Sequence, residues 1–227
     1  LLAVVRREDE VPHRRTADPV LAEPFDVLHV AHALGHLRAV REEELAMAPA
    51  TRERLARRGL ALCDLVLVVR EDQIDAAKVI GSYSYVDASR IGIWGWSYGG
   101  FMASNCIMKG ADVFKMAIAV APVTNWRFYD SIYTERYMQT PQENASGYDD
   151  NSPINHVDKL KGKFLLIHGS ADDNVHVQNS MQMMEALIQA NKQFDSQIYP
   201  DKNHGIYGGK TRIQLFNKMT NFIKENL

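Results

Sequence analysis

Cysteine is scarce in this chain, and its scarcity excludes two classes of site. Of 227 residues only Cys63 and Cys106 are cysteines, too few for a disulfide framework and wrongly spaced for a cysteine-based metal site. Cys106 falls in an apolar stretch that predicts a buried free thiol. No apolar run is long enough to span a membrane. The 26 basic and 28 acidic residues nearly balance, which argues against nucleic acid or an anionic membrane as the main partner.

A second absence divides the chain near residue 70. Positions 1–70 hold eleven Arg but no Lys, Asn, Ser, Gln, Ile, Tyr or Trp, whereas positions 71–227 hold eleven Lys and four Arg. This step predicts two units, an atypical Arg- and Ala-rich segment at 1–70 and a globular domain at 71–227. Residues 1–70 are either a separate helical module or, in the interpretation that we favour, a fused or mistranslated segment. The chain begins with leucine and shows no signal-peptide layout, so we expect a fragment.

Few local patterns mark residues 1–70. Residues 42–62 are compatible with a helix, and the apolar run 65–69 could be a strand. His29, His32 and His36 would share one face of a possible helix, where they could ligate a metal. No carboxylate or cysteine completes a ligand set with them, so no metal site and no cofactor is predicted.

From residue 71 onward, helical and strand patterns alternate. Residues 71–80 have acids first and Lys78 late, the polarity that a helix dipole favours. Apolar runs predict buried strands at 114–120 and 163–168, and a third strand is predicted at 194–199. Helices are predicted at 178–189 and at 213–227. Met181, Met184 and Leu187 would form the core-facing stripe of the first of these helices. This alternation predicts a parallel α/β sheet.

The motif G-x-S-x-G occurs at residues 95–99, between a predicted strand that contains Ile91 and Ile93 and an apolar, helix-compatible run. In that context the motif predicts a sharp turn that exposes Ser97 as a nucleophile. The backbone N–H of Tyr98 would face the oxyanion formed when Ser97 attacks a carbonyl. Gly100 would allow the helix to pack closely on the strand.

A serine hydroxyl needs a histidine to take its proton and an acid to orient that histidine. In α/β hydrolases these groups follow the order Ser, Asp, His. Asp172 and His204 follow Ser97 in that order, in loops after predicted strands and far enough apart for one helix and one strand between them. His168 and His176 are weaker candidates, because His168 ends a buried strand and His176 flanks a helix. The sequence therefore predicts a Ser97–Asp172–His204 triad.

Five motifs in order carry a family resemblance. They lie at residues 95–100, 120–126, 133–137, 168–176 and 203–205. Together they resemble the catalytic domain of the dipeptidyl peptidase IV branch of the prolyl oligopeptidase family, over about residues 71–227. The resemblance implies an α/β-hydrolase fold and a serine peptidase without a cofactor that releases N-terminal Xaa-Pro or Xaa-Ala dipeptides. It also suggests a homodimer and a periplasmic or extracellular location.

The resemblance further implies the role of each site residue. Ser97 would be the nucleophile, His204 the general base and then acid, and Asp172 the residue that holds the histidine tautomer. Tyr98 would supply one oxyanion donor, and Asn174 would bind the carbonyl of the substrate's first residue. An apolar pocket for a proline or alanine side chain would be formed by Val123, Trp126, Tyr133, Tyr137 and Val175.

Three features of the family have no counterpart in residues 1–70. These are a tyrosine that supplies the second oxyanion donor, a propeller that binds the substrate's amino terminus through paired glutamates, and the first strands of the hydrolase sheet, which are missing or replaced. Two alternatives therefore stay open: another serine hydrolase, such as an acylaminoacyl peptidase or esterase, and an inactive truncated fragment. Residues 133–137 together with Asn174 favour the dipeptidyl branch over the first alternative.

Overall fold

A mixed sheet forms the centre of the fold. The computed structural model describes residues 2–6, 28–29 and 62–227. Within these residues six strands form one sheet in the order β2-β1-β3-β4-β5-β6. The strands are β1 (Leu2–Arg6), β2 (Leu28–His29), β3 (Val86–Trp96), β4 (Met116–Val120), β5 (Lys163–Gly169) and β6 (Asp195–Tyr199).

The strands β3 to β6 are parallel and confirm the predicted α/β fold. Gly92 of β3 pairs with Met116 of β4, which pairs with Lys163 of β5. Every residue of β4 is buried, as expected of a parallel strand covered on both faces. Because the four strands run in one direction, their carboxyl ends meet at one edge of the sheet, where open α/β sheets bind their ligands.

The N-terminal strands enter the sheet in the opposite direction. β1 is antiparallel to β3, with Ala3 opposite Gly92, and β2 is antiparallel to β1. The place beside β3 is thus taken by an antiparallel strand pair, in line with the expected replacement of the first hydrolase strands. His29 lies in β2 rather than in the helix considered above. His32, His36 and, of the predicted helix at 42–62, all residues before 62 lie outside the described residues. The division at residue 70 stays a prediction.

Helices flank the sheet. They are α1 (Leu62–Gly81), α2 (Tyr98–Lys109), α3 (Ser131–Met138), α4 (Ala145–Asp149), α5 (Gln178–Gln189) and α6 (Thr211–Asn226), with short 3₁₀ helices at Trp126–Phe128 and Pro153–Lys159. The predicted helices at 71–80, 178–189 and 213–227 are confirmed. The strand considered at 65–69 is wrong, because these residues lie in α1. A short apolar run fits a helix and a strand equally well, and here the helix continues unbroken from 62 into 71–80.

The core lies in two layers on either side of the sheet. One layer joins α1, α2 and α5 to the strands through residues such as Ala77, Ile107 and Leu187, and includes the predicted buried thiol of Cys106. Burial raises the pKa of that thiol to about 12. The other layer joins α6 to the opposite face through Leu215 and neighbouring residues. None of the described helices is both long and apolar enough to cross a membrane.

One core prediction for α5 is wrong. Met181 is 52% exposed, whereas Met183 and Leu187 are fully buried and Met184 packs at the edge of the core. The buried face of α5 therefore follows the spacing of Ser180, Met183 and Leu187, one helical stripe, while Met181 points away from it. The sequence offered two overlapping methionine stripes, and packing against the sheet selects one.

Candidate active site

Ser97 lies at the sharp turn between β3 and α2. Its backbone angles are φ 59° and ψ −119°, a conformation that a side-chain-bearing residue rarely adopts. Such strain costs about 1–3 kcal/mol and persists only where the surroundings hold it. Here the Ser97 N–H donates to the Val120 carbonyl at 2.8 Å, and the Ser97 carbonyl accepts from the Phe101 N–H at 3.0 Å. The predicted strand, turn and helix are thus present, with Ser97 at the turn and Tyr98 as the first helical residue.

Close backbone approach explains two of the glycines. A Cβ on Gly95 would lie 2.2 Å from the carbonyl carbon and oxygen of Gly99, which is not physically possible without movement. A Cβ on Gly100 would lie 2.9 Å from the Val120 carbonyl oxygen and 3.1 Å from Pro122. The predicted close packing of α2 on the strands therefore depends on Gly100, and the turn itself depends on Gly95.

The Asp172 carboxylate receives three hydrogen bonds and one further close contact from a histidine. The Asn174 and Val175 backbone N–H groups each donate to Oδ1 at 3.0 Å. Oδ2 lies 2.7 Å from His204 Nδ1 and 3.2 Å from His168 Nε2. Burial alone would raise the pKa of Asp172, but the hydrogen bonds from His168, His204 and the backbone outweigh it and hold the pKa well below its ordinary value. Asp172 is therefore ionised at neutral pH.

The loop after β6 that carries His204 is held by its backbone. The Trp96 indole N–H donates to the His204 carbonyl at 2.9 Å. Arg212, at the start of α6, donates from Nε and Nη2 to the next carbonyl, that of Gly205, at 3.1 and 2.8 Å. The Arg212 guanidinium also lies over the Trp96 ring, 5.4 Å from its centroid. Because Trp96 directly precedes Ser97, this clamp ties the histidine loop to the serine turn.

The predicted pocket residues form a connected aromatic group. Trp126 is buried and stacks on Tyr133, with ring centroids 6.3 Å apart, and Tyr133 meets Tyr137 edge-on at 5.1 Å. Val123 and Val175 are buried in the same cluster as Trp126. Tyr133 and Tyr137 are 39% and 46% exposed, so their rings can be reached from solvent.

Asn174 lies beside Tyr129. The Tyr129 hydroxyl donates to Asn174 Oδ1 at 3.0 Å, and the Tyr129 ring contacts Tyr133 edge-on at 5.5 Å. Both residues also line a surface cavity of about 360 Å³ together with Phe128, Asp130, Asp173 and His176. Asn174 is thus linked to the aromatic group through Tyr129.

The sequence did not assign Tyr129 to this site, and it marked His168 only as a weaker candidate for the base. Tyr129 was visible only as one of many aromatics between residues 124 and 150. His168 ends a strand, which suggests core packing, and only the fold reveals that it turns towards Asp172. Among the described residues no group of His, Cys, Asp and Glu side chains could hold a metal ion.

The profile of the prolyl oligopeptidase family matches residues 67–227. The chain belongs to the prolyl oligopeptidase family. It is 51% identical over 156 residues to the probable dipeptidyl-aminopeptidase B of Podospora anserina, covering 67% of this chain and 17% of that protein. It is 46% identical over 158 residues to dipeptidyl peptidase 4 of Felis catus, covering 68% and 21%.

A solved structure of the family shares the fold. The crystal structure of Porphyromonas gingivalis dipeptidyl peptidase 4 matches with a TM-score of 0.69 and 56% sequence identity, over 70% of this chain and 22% of that one. The chain therefore spans about a fifth of the length of these members of the prolyl oligopeptidase family. The match confirms the predicted family and the α/β-hydrolase fold.

Proposed function

We propose that residues 71–227 form the catalytic domain of a serine peptidase of the dipeptidyl peptidase IV type, with Ser97, His204 and Asp172 as its triad. One observation carries the proposal. The Asp172 carboxylate accepts from His204 Nδ1, and the loop of that histidine is held by Trp96, the residue before Ser97. The names of the family members support a dipeptidyl peptidase rather than a general esterase.

The proposed reaction proceeds by acyl transfer. With Nδ1–H donating to Asp172, Nε2 of His204 has a free lone pair and can take the proton of the Ser97 hydroxyl. The Ser97 oxygen then attacks the substrate carbonyl, and the Tyr98 backbone N–H donates to the oxyanion. His204 returns its proton to the leaving amine as the peptide bond breaks, which leaves an ester on Ser97. Water attacks that ester by the same steps and releases the dipeptide.

The substrate proposal rests on the aromatic group. Tyr133, Tyr137 and Trp126, with Val123 and Val175, would enclose a proline or alanine side chain in the second position of the substrate. Rigid aromatic faces bind a proline ring with little loss of side-chain entropy.

Asn174 would bind the substrate's first carbonyl. Because Tyr129 donates to Asn174 Oδ1, the amide is oriented with Nδ2 free to donate to that carbonyl. Tyr129 thereby joins the proposed binding residues.

The whole protein's further properties are also proposals. Capture of the substrate's amino terminus and the second oxyanion donor would come from parts of the full-length protein, in which we further propose a homodimer. We propose the division at residue 70 on composition, since residues 1–70 and 71–227 use basic residues so differently.

Labelling of the purified chain with a fluorophosphonate probe tests the triad. We expect labelling in the wild type and in Ser82→Ala, a control at an exposed serine, and none in Ser97→Ala. Removal of the nucleophile abolishes acyl transfer by a factor on the order of 10⁶ in comparable enzymes. Equal labelling of Ser97→Ala would refute the triad assignment.

Turnover by the unlabelled protein then tests the substrate class. Ala-Pro and Ala-Ala chromogenic amides are compared with an N-acetylated amino-acid amide and a simple ester. Faster cleavage of the free-amino Xaa-Pro amide is the expected result. A preference for the acetylated amide or the ester would instead favour an acylaminoacyl peptidase or esterase.

A further inference from the structure

His168 contacts the same carboxylate oxygen as His204, but from inside the protein. It lies near the carboxyl end of β5, and its Nε2 is 3.2 Å from Asp172 Oδ2. Its side chain is fully buried, whereas that of His204 is 25% exposed. Of the two imidazoles that share this acceptor, His204 is the one that a substrate can reach, and His168 lies behind the carboxylate.

The neighbours of His168 determine which ring nitrogen carries a proton. Nε2 lies 2.8 Å from the Val175 carbonyl oxygen and 3.2 Å from Asp172 Oδ2, and both atoms are acceptors. A lone pair on Nε2 would face two buried oxygens without a hydrogen bond, so Nε2 carries the hydrogen. Nδ1 lies 2.6 Å from the hydroxyl of Ser180, a buried residue of α5 that can donate to it.

These contacts form one chain from α5 to the base, in which the Nε2–H of His168 bonds the Val175 carbonyl at 2.8 Å and also lies 3.2 Å from Asp172 Oδ2. It runs from the Ser180 hydroxyl through the His168 ring to Asp172 Oδ2 and on to His204 Nδ1. Building on the proposed function, we propose that His168 is a positioning residue of the active site. It holds Asp172 Oδ2 towards His204 and withdraws part of the carboxylate's negative charge, while Ser180 fixes the orientation of the His168 ring.

The electrostatics of Asp172 support this role. Burial opposes the charged carboxylate, and the His168 hydrogen bond is the leading effect that offsets it and lowers the pKa of Asp172. The ionisable groups that act on Asp172 are His168 from β5 and His204 from the loop after β6, and Asp172 in turn acts on Tyr129. Loss of the His168 contact would concentrate the charge of Oδ2 on His204, so the Asp172–His204 hydrogen bond would shorten. The carboxylate would also lose the contact that fixes its orientation, so the pair would no longer be held in line with Ser97.

A purely structural role predicts something different. His168 also joins β5 to α5 through Ser180, and a brace of that kind would contribute stability alone. Its removal would lower the denaturation midpoint but leave the Asp172–His204 hydrogen bond as it is.

Proton NMR of the full chain distinguishes the two roles without any need for activity. The His204 Nδ1–H in a short bond to a carboxylate resonates far downfield, and His204→Gln assigns the signal by its loss. His168→Leu removes the donor at nearly constant side-chain volume, and His168→Gln retains an N–H close to the position of Nε2. Ser180→Ala removes the hydroxyl that fixes the orientation of the His168 ring. His156→Gln is the control, because that exposed histidine bonds the Asp150 carbonyl instead.

We expect the signal to move further downfield in His168→Leu and, by less, in Ser180→Ala, and to return towards its wild-type position in His168→Gln. Fluorophosphonate labelling of Ser97 should fall about tenfold in His168→Leu, the effect of one hydrogen bond, and recover in His168→Gln. If His168→Leu fails to fold, Ser180→Ala decides. If the His204 Nδ1–H signal does not move in any folded variant, the proposal is overturned. If the signal moves but the wild-type protein is not labelled by the probe, the triad's activity is refuted and the positioning role stands.

Discussion

The two sides of the candidate site are held in position by different physical means. Ser97 is held by backbone sterics, in a turn where Gly95 and Gly99 are in contact and the φ angle is unusual. Asp172 and His204 are held by hydrogen bonds between side chains and from backbone N–H groups. Where backbones touch, as at Gly95, an added atom prevents folding, whereas the loss of a hydrogen bond leaves the fold intact and lowers activity. Substitutions on the two sides should therefore differ in kind.

The largest expected effect lies on the steric side. Gly95→Ala would place a methyl group 2.2 Å from the Gly99 backbone, so we expect little or no folded protein. Gly99→Ala is the matched control, because a Cβ there meets nothing within 4 Å, and alanine in a helix is favoured over glycine by about 1 kcal/mol. Urea denaturation of both variants measures the contrast. Similar stabilities would show that the turn can relax around Gly95.

On the hydrogen-bonded side, Asp172→Asn should fold but lose about 10⁴-fold in turnover, as in triads where an amide selects the wrong histidine tautomer. Dipeptide release measured by steady-state kinetics checks this value. A loss of less than tenfold would mean that Asp172 does not orient His204.

The same variant should change how the free energy of unfolding depends on pH. The pKa of Asp172 is lowered in the folded chain, so its stabilisation is present above the unfolded value of about 3.9 and is lost as the pH falls below it. The free energy of unfolding of the wild type should therefore fall more steeply between about pH 4 and pH 2 than that of Asp172→Asn. Parallel curves would contradict the lowered pKa.

A smaller effect is expected at the substrate side of the loop after β5. Asn174→Ala should raise the Michaelis constant for dipeptide amides about tenfold, the contribution of one hydrogen bond, with little change for simple esters. Tyr129→Phe, which removes the hydroxyl that orients Asn174, should act in the same direction but less. An equal change for amides and esters would argue against the carbonyl-binding role of Asn174.

The smallest effect is expected where the two sides meet. Arg212 is exposed, and Arg212→Met removes two hydrogen bonds to the Gly205 carbonyl while keeping an apolar contact with Trp96. We expect about threefold slower labelling of Ser97, since exposed charged contacts contribute less than about 1 kcal/mol. Lys218→Met, at another position of α6, is the control. A loss as large as that of Asp172→Asn would place Arg212 on a level with the triad.

The contrast between the two sides also explains what the sequence could predict. The turn at Ser97 could be predicted from the sequence because only glycine fits at positions such as Gly95. The strand and the helix on either side of the turn also have strong apolar patterns. Asp172 and His204 could be chosen because both follow predicted strands. The contact of His168 with Asp172 could not be predicted, since it depends on how a turn folds back over the end of β5. The predicted core stripe of α5 was wrong for a similar reason. Met181 and Met183 are the same residue type, and only packing against the sheet decides which of them is buried.

The clamp at Trp96 has a consequence for biosynthesis. Its hydrogen bond joins residues 108 positions apart, and Arg212 completes it from α6. A ribosome therefore exposes the serine turn long before it has made the helix that holds the histidine loop. The complete clamp of Trp96, the histidine loop and Arg212 therefore closes only after the last helix of the chain has been synthesised.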